Sequence, residues 1–195
     1  MGATRMGKSC LSIDLATHFQ EEIINSDKMQ VYKGIEIVTN KITHSEKQGV
    51  RHYLLGKFLK TQRIPINFGG SNSYIEKLVE DSVFMFKYKY DTCFTWIDVE
   101  QSFLNYRVDI RVDQMVNEDE DDESNKMLLQ SSIANIKHNT RLLICHQLDK
   151  IQWLINEKMW LVHHIIAIDV FKGDRNEVID EAWRNTILRP YLDIV

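Results

Sequence analysis

The sequence predicts an α/β fold, a parallel sheet with helices on its faces. Short β-branched or aromatic runs alternate with longer stretches of helical periodicity. The apolar pair Ile23-Ile24 gives way at once to the polar Asn25-Ser26-Asp27, as a buried parallel strand ends at a site. A glycine-bounded loop opens the chain and runs straight into a helical pattern.

The elements follow in order. Leu11, Leu15, Ala16 and Phe19 set an apolar stripe, so residues 9–19 form a helix. Ile23-Ile24 is a strand, and residues 63–68 are a second, closed by Gly69-Gly70. Ser71 or Ser73 then caps a helix reaching about Asp81. Gly69-Gly70-Ser71 reads equally as a turn with a cap or as a ligand contact. Residues 92–99 are β-branched and aromatic, a strand, and a helix follows from Gln101 to Val116. A long helix is expected from Met127 to Glu157, its apolar face built from Ile133, Ile136, Leu143, Cys145, Leu148, Ile151 and Leu154. A strand near 161–170 and a helix over 174–187 complete the pattern, and Pro190 stops regular structure.

Composition bounds the function. At 195 residues, 44% apolar and 27% charged, the chain suits one globular domain spanning 1–195. The net charge of −4 gives no reason to expect a DNA-binding or membrane-surface protein, and no apolar stretch is long enough to span a bilayer. Glu118, Asp119, Glu120, Asp121, Asp122 and Glu123 form one acidic run, which makes 117–126 an exposed loop. It contains no Gly, so it lacks the turn of a calcium loop. Outside it, 24 cations face 22 acids. Cys10, Cys93 and Cys145 are odd in number and far apart, which argues against a disulfide framework or a zinc site. A reducing intracellular compartment is expected, with neither signal nor transit peptide in this chain. His163-His164 reads as a structural edge pair, and Cys10 as a small buried residue rather than an activated thiol.

Chemistry enters with Gly2-Ala-Thr-Arg-Met-Gly7-Lys8-Ser9, which satisfies G-x(4)-G-K-[ST]. Such a loop lets backbone N–H groups wrap a diphosphate, and the following helix N-terminus adds positive potential. Lys8 would reach the phosphates as a point charge, and Ser9 would place its hydroxyl on Mg²⁺. The loop normally follows a buried strand, and no strand precedes Gly2 in this chain. Arg5 occupies a position that many such loops give to a small residue; if its φ must be positive, the strain is about 1 kcal/mol.

The stretch from Gly2 to Ile42, with Ser26-Asp27-Lys28-Met29-Gln30-Val31-Tyr32-Lys33-Gly34 at its centre, resembles the opening of the plant adenylate isopentenyltransferases, relatives of the tRNA dimethylallyltransferases. Blocks at 49–56, 63–78, 92–99 and 111–116 match in the same order, and 136–151 resembles the family's helix that carries Lys-Arg-Gln. The resemblance implies a P-loop NTPase-like sheet. It also implies transfer of a dimethylallyl group from dimethylallyl diphosphate to N6 of ATP, ADP or AMP. By resemblance, Asp27 is the base for the N6 proton and Thr4 meets the bridging oxygen of the leaving group. Gly2, Gly7, Lys8 and Ser9 bind phosphate, while Ser26, Asn40 and Lys41 border the nucleotide. A monomer requiring Mg²⁺ is implied, in plastid or cytoplasm. tRNA is not expected as acceptor, since neither a zinc-finger extension nor a strongly basic surface is present.

The chain also departs from the pattern. Only residues 57–62 bridge Gly56 and Arg63, where the family holds a longer segment, and the acidic run stands where a helical insertion is expected. Cys145-His146-Gln147 replaces Lys-Arg-Gln, and each lost charge-assisted contact costs about 1.5–3 kcal/mol. Arg51 and Tyr53 replace the usual Pro and His. These departures leave an alternative open: a shortened, inactive homologue with at most weak nucleotide or diphosphate binding.

Overall fold

A computed structural model describes residues 1–4, 6–27, 45–54, 65–83, 91–117, 126–167, 170 and 181–194. The chain runs α1 (Lys8–Phe19), β1 (Glu22–Asn25), β2 (His52–Leu54), β3 (Pro65–Phe68), α2 (Asn72–Glu80), β4 (Phe94–Asp98), α3 (Gln101–Asn117), α4 (Lys126–Asn156) and β5 (Val162–Ile166). A π-helical turn, Arg184–Leu188, then leads into α5 (Arg189–Leu192). Among the described residues all strand pairing is parallel.

Among the described residues the strands form two ladders, β2-β1-β3 and β4-β5. In the first, Ile23 stands opposite His52 on one side and Ile66 on the other. In the second, Trp96 stands opposite His164. No described strand runs into Gly2, but Met1 makes one rung on the free edge of β4. Its amine donates to Thr95 O, and Ile97 N–H donates to Met1 O at 3.2 Å. Those two bonds are the pattern of a parallel pair opposite Trp96.

The main core joins Ala3 and Met6 of the opening loop to Leu11 and Leu15 of α1 and Ile97 of β4. Leu104 and Val108 of α3, Ile144 of α4, Ile165 of β5 and Ile187 also belong to it. A smaller cluster of Ile13, Ala16, Ile23 and Phe68 lies between α1 and the first ladder. Ile66 borders both, so α1 and β3 link the two halves. Trp183 Nε1 donates to Asp14 Oδ2 at 2.7 Å and ties the C-terminal turns to α1. Along α3 and α4, Arg141 Nη2 reaches both oxygens of Asp109 at 2.6 and 2.7 Å.

Three expectations need correction. The face of α4 is set by Ile144, Ile151 and Leu154, while Ile136 and Leu143 are exposed. Leu142-Leu143-Ile144 offers three adjacent apolar residues, and packing against the core selects only the last. Pro190 lies within α5 rather than ending structure; it follows directly on the π-helical turn, where Arg189 N–H reaches back to Arg184 O, and such a wider turn is a usual way for a helix to take up a local irregularity. Ser71 precedes α2 without a side-chain capping bond; Asn72 N–H and Tyr74 N–H instead turn back to Gly70 O and Ser71 O. The acidic run 118–123, Arg5, the bridge 57–62 and helix residues 174–180 lie outside the described residues.

Candidate active site

The opening loop is rooted in the core, with its mouth beside the C-terminal ends of β1 and β3. Gly2 adopts φ 145°, and a Cβ there would stand 2.9 Å from Ile97 O. Gly7 adopts φ 73° immediately before α1. Both positions favour glycine for conformational reasons, and Gly2 for space as well. Between them, Ala3 N–H points to Met6 Sδ at 3.1 Å and holds the loop in its bend. No side chain caps the start of α1, which leaves its first-turn N–H groups available to an anion.

Lys8 folds back over this loop and donates to Ala3 O. Burial pushes its ammonium down to about 8, with the charge of Asp27 opposing the shift. Asp27 lies half-buried beyond the end of β1, near enough for its charge to act on Lys8. Its N–H donates to Asn25 Oδ1 at 2.8 Å, which fixes the turn that presents the carboxylate. Ser26 is turned inward: it is almost wholly buried and its hydroxyl donates to Asn67 Oδ1, joining β1 to β3. Gly2, Thr4 and Gly7 thus sit in the opening loop, with Lys8 and Ser9 in the first turn of α1, while Asn40 and Lys41 lie outside the described residues.

The glycine pair after β3 has a steric reason. A Cβ on Gly69 would stand 2.7 Å from Ser26 C and 3.0 Å from Asp27 N. A Cβ on Gly70 would stand 2.5 Å from Gln147 Nε2. The pair is therefore wedged between the Asp27 turn and α4, and any larger residue would push one of them away. Gln147 is the site residue that sequence reasoning undervalued: its Oε1 accepts the N–H of Thr4 at 2.9 Å. Of Cys145-His146-Gln147, only Gln147 meets the loop. His146 is exposed, and Cys145 Sγ accepts from Gln101 Nε2 at 3.1 Å.

Arg107 is a second residue not singled out from sequence. It approaches Cys10 in the first turn of α1, and burial lowers its pKa against the opposing pull of that thiol. The spacing Arg107…Arg111, one helical turn along α3, was the available signal. Cys10 is neither buried as a residue nor activated: desolvation pushes its thiol up, helped by Asp14 and Glu46. The unusual Arg51 and Tyr53 converge on buried Glu22, with Arg51 Nη1 3.6 Å from Oε1 and the Tyr53 hydroxyl donating to it at 3.4 Å. These two departures partner each other through one carboxylate.

A divalent cation would find hard oxygen donors here in the Ser9 hydroxyl and the Asp27 carboxylate. Among the described residues no cluster of three His, Cys, Asp or Glu could hold a metal alone. That set fits Mg²⁺, which is commonly held by one or two protein oxygens together with substrate phosphate.

No family model matches the chain. Adenylate isopentenyltransferase 5, chloroplastic, of Arabidopsis thaliana is 39% identical over 252 residues, covering 97% of this chain and 76% of the relative. The chain belongs to the adenylate isopentenyltransferase family. Adenylate isopentenyltransferase 7, mitochondrial, of the same plant is 39% identical across 100% of this chain and 78% of its own length. Both alignments exceed 195 positions, so these family members carry interior residues with no counterpart here. A crystal structure of a eukaryotic dimethylallyltransferase acting on tRNA superposes with TM-score 0.72 at 19% identity, over 98% of this chain and 76% of that one. A tRNA isopentenylpyrophosphate transferase from Bacillus halodurans gives 0.67 at 20%, over 98% and 95%. The family's P-loop NTPase-like fold is therefore present. Among the described residues no helix is long and apolar enough to cross a membrane.

Proposed function

We propose that the chain transfers a dimethylallyl group from dimethylallyl diphosphate to N6 of an adenine nucleotide, the reaction that commits adenylate to cytokinin synthesis. The observation that carries this is the 39% identity to an adenylate isopentenyltransferase across 97% of the chain, with Lys8 opening α1 and Asp27 just beyond β1. The loop amides and Lys8 hold the diphosphate and stabilise the charge that grows on it as the allylic C–O bond breaks. Thr4 stands at the bridging oxygen. The N6 amine is a weak nucleophile because its lone pair is shared with the ring. A carboxylate accepting its proton as the C–N bond forms lowers that barrier, and Asp27 takes that role in this reading. Mg²⁺, bound through Ser9 and the diphosphate, would supply further neutralisation of the leaving group.

ATP, ADP and AMP are the acceptor class, and the unit that acts is a monomer. The compartment in this reading is a reducing one, plastid or cytoplasm, and the relative named as chloroplastic favours the plastid. The test is direct. Purified protein is incubated with dimethylallyl diphosphate, Mg²⁺ and each nucleotide, and N6-prenylated product is sought by mass spectrometry. Absence of product with all three acceptors, from protein shown to be folded, would leave the inactive homologue as the correct description.

A further inference from the structure

We propose that Gln147 is a positioning residue for the diphosphate, acting through the Thr4 peptide; this rests on the reading of Gly2–Ser9 as the diphosphate loop. In such loops, amides are valued for pointing at the anion. Here the Thr4 N–H is committed elsewhere, to Gln147 Oε1 at 2.9 Å. That bond spans 143 positions of sequence and fixes which way the Thr4 peptide faces. The neighbouring Ala3 N–H is likewise held from behind, by Met6 Sδ. The first half of the loop is thus anchored from outside, and the second half, with the uncapped start of α1, is presented to the ligand.

Gln147 is itself held firmly. Its backbone carbonyl accepts from Asn72 Nδ2 at 3.0 Å, and Asn72 is almost wholly buried. Ile144 and Ile151, both completely buried, fix α4 on either side of it. Gly70 presses on its amide, so that a Cβ at Gly70 would displace Nε2. The carboxamide is therefore seated between two elements of the site, the phosphate loop and the turn that also packs against Asp27 through Gly69. A hydrophobic residue of the same length would fill the space and release the Thr4 peptide.

Two measurements test this on the full chain. The first needs no ligand: amide exchange of Thr4, followed by NMR, should accelerate about ten-fold or more in Gln147→Met, and unchanged protection would overturn the anchoring contact. The second titrates inorganic diphosphate with Mg²⁺ into wild type, Gln147→Met, Gly70→Ala and the double variant. Gln147→Met should weaken binding about ten-fold, the effect of one lost hydrogen bond. Gly70→Ala should weaken it in wild type but add nothing in the Gln147→Met background, since both act on one contact. Equal or tighter binding by Gln147→Met would overturn the proposal, and so would full additivity of the two changes. Thermal melts of each variant keep a folding defect from passing for a binding one. Failure of wild type itself to bind diphosphate would defeat both the positioning role and the phosphate-loop assignment. The exchange experiment then judges the Gln147–Thr4 contact separately.

Discussion

At the scale of single residues, the proposed chemistry rests on Asp27 and Lys8. Replacing Asp27 with Asn preserves shape but removes the proton acceptor. Turnover should fall by about 10²–10³-fold while the KM for either substrate changes little, and a kcat within three-fold of wild type would remove Asp27 as the base. Lys8 makes a second prediction. Its ammonium is held at about 8, below the ordinary 10.5 of the unfolded chain. Between those values the unfolded chain binds more protons, so stability of the unliganded protein should rise with pH across that window. Bound diphosphate favours the charged form, so binding near pH 8.5 should take up part of a proton. Calorimetry in buffers of different ionisation enthalpy reads this, and the uptake should vanish in Lys8→Met. These two residues were legible in the sequence because local spacing and a diagnostic block carry them. Gln147 and Arg107 were not, because their roles depend on contacts with residues far away in the chain. Glu22 was hidden for the same reason, since its partners come from the neighbouring strand.

At the scale of elements, the glycine pair after β3 and the buried face of α4 are the points of least tolerance. Gly69→Ala forces a Cβ onto the backbone of Ser26 and Asp27, which cannot retreat as a side-chain tip could. It should destabilise by about 2 kcal/mol, seen as a fall in Tm of roughly 4–8 °C in a chain of this size. Ile151→Ala, at a completely buried position, should cost about 2–5 kcal/mol by leaving a cavity under α4; an unchanged melt would show that α4 does not pack there. Periodicity found most helices and strands because amphipathic stripes are strong local signals. It did not find β2, whose three residues are too few for any period to show. Nor did it set the register of α4, where three consecutive apolar residues make neighbouring faces equally attractive. Proline at 190 misled because its effect depends on its place in a helical turn, which sequence alone does not give.

At the scale of the whole molecule, the described strands lie in two ladders, with the opening loop pinned to β4 by Met1. A diphosphate seated in that loop and reaching toward Asp27 would touch both halves. Mg²⁺ with diphosphate at about 100 times its dissociation constant should therefore raise stability by about 2.7 kcal/mol. It should also bring the exchange rates of core amides in the two ladders closer together. Separate exchange behaviour that persists in saturating ligand would show that the loop does not couple them. The same placement has a consequence for the protein's lifetime in a cell. If a diphosphate in the opening loop adds to the link that α1 and β3 already make, the molecule opens more readily when the loop is empty, and opened molecules are those that proteases remove. Scarcity of the diphosphate donor would then lower not only the rate per molecule but the number of molecules, tying abundance to supply.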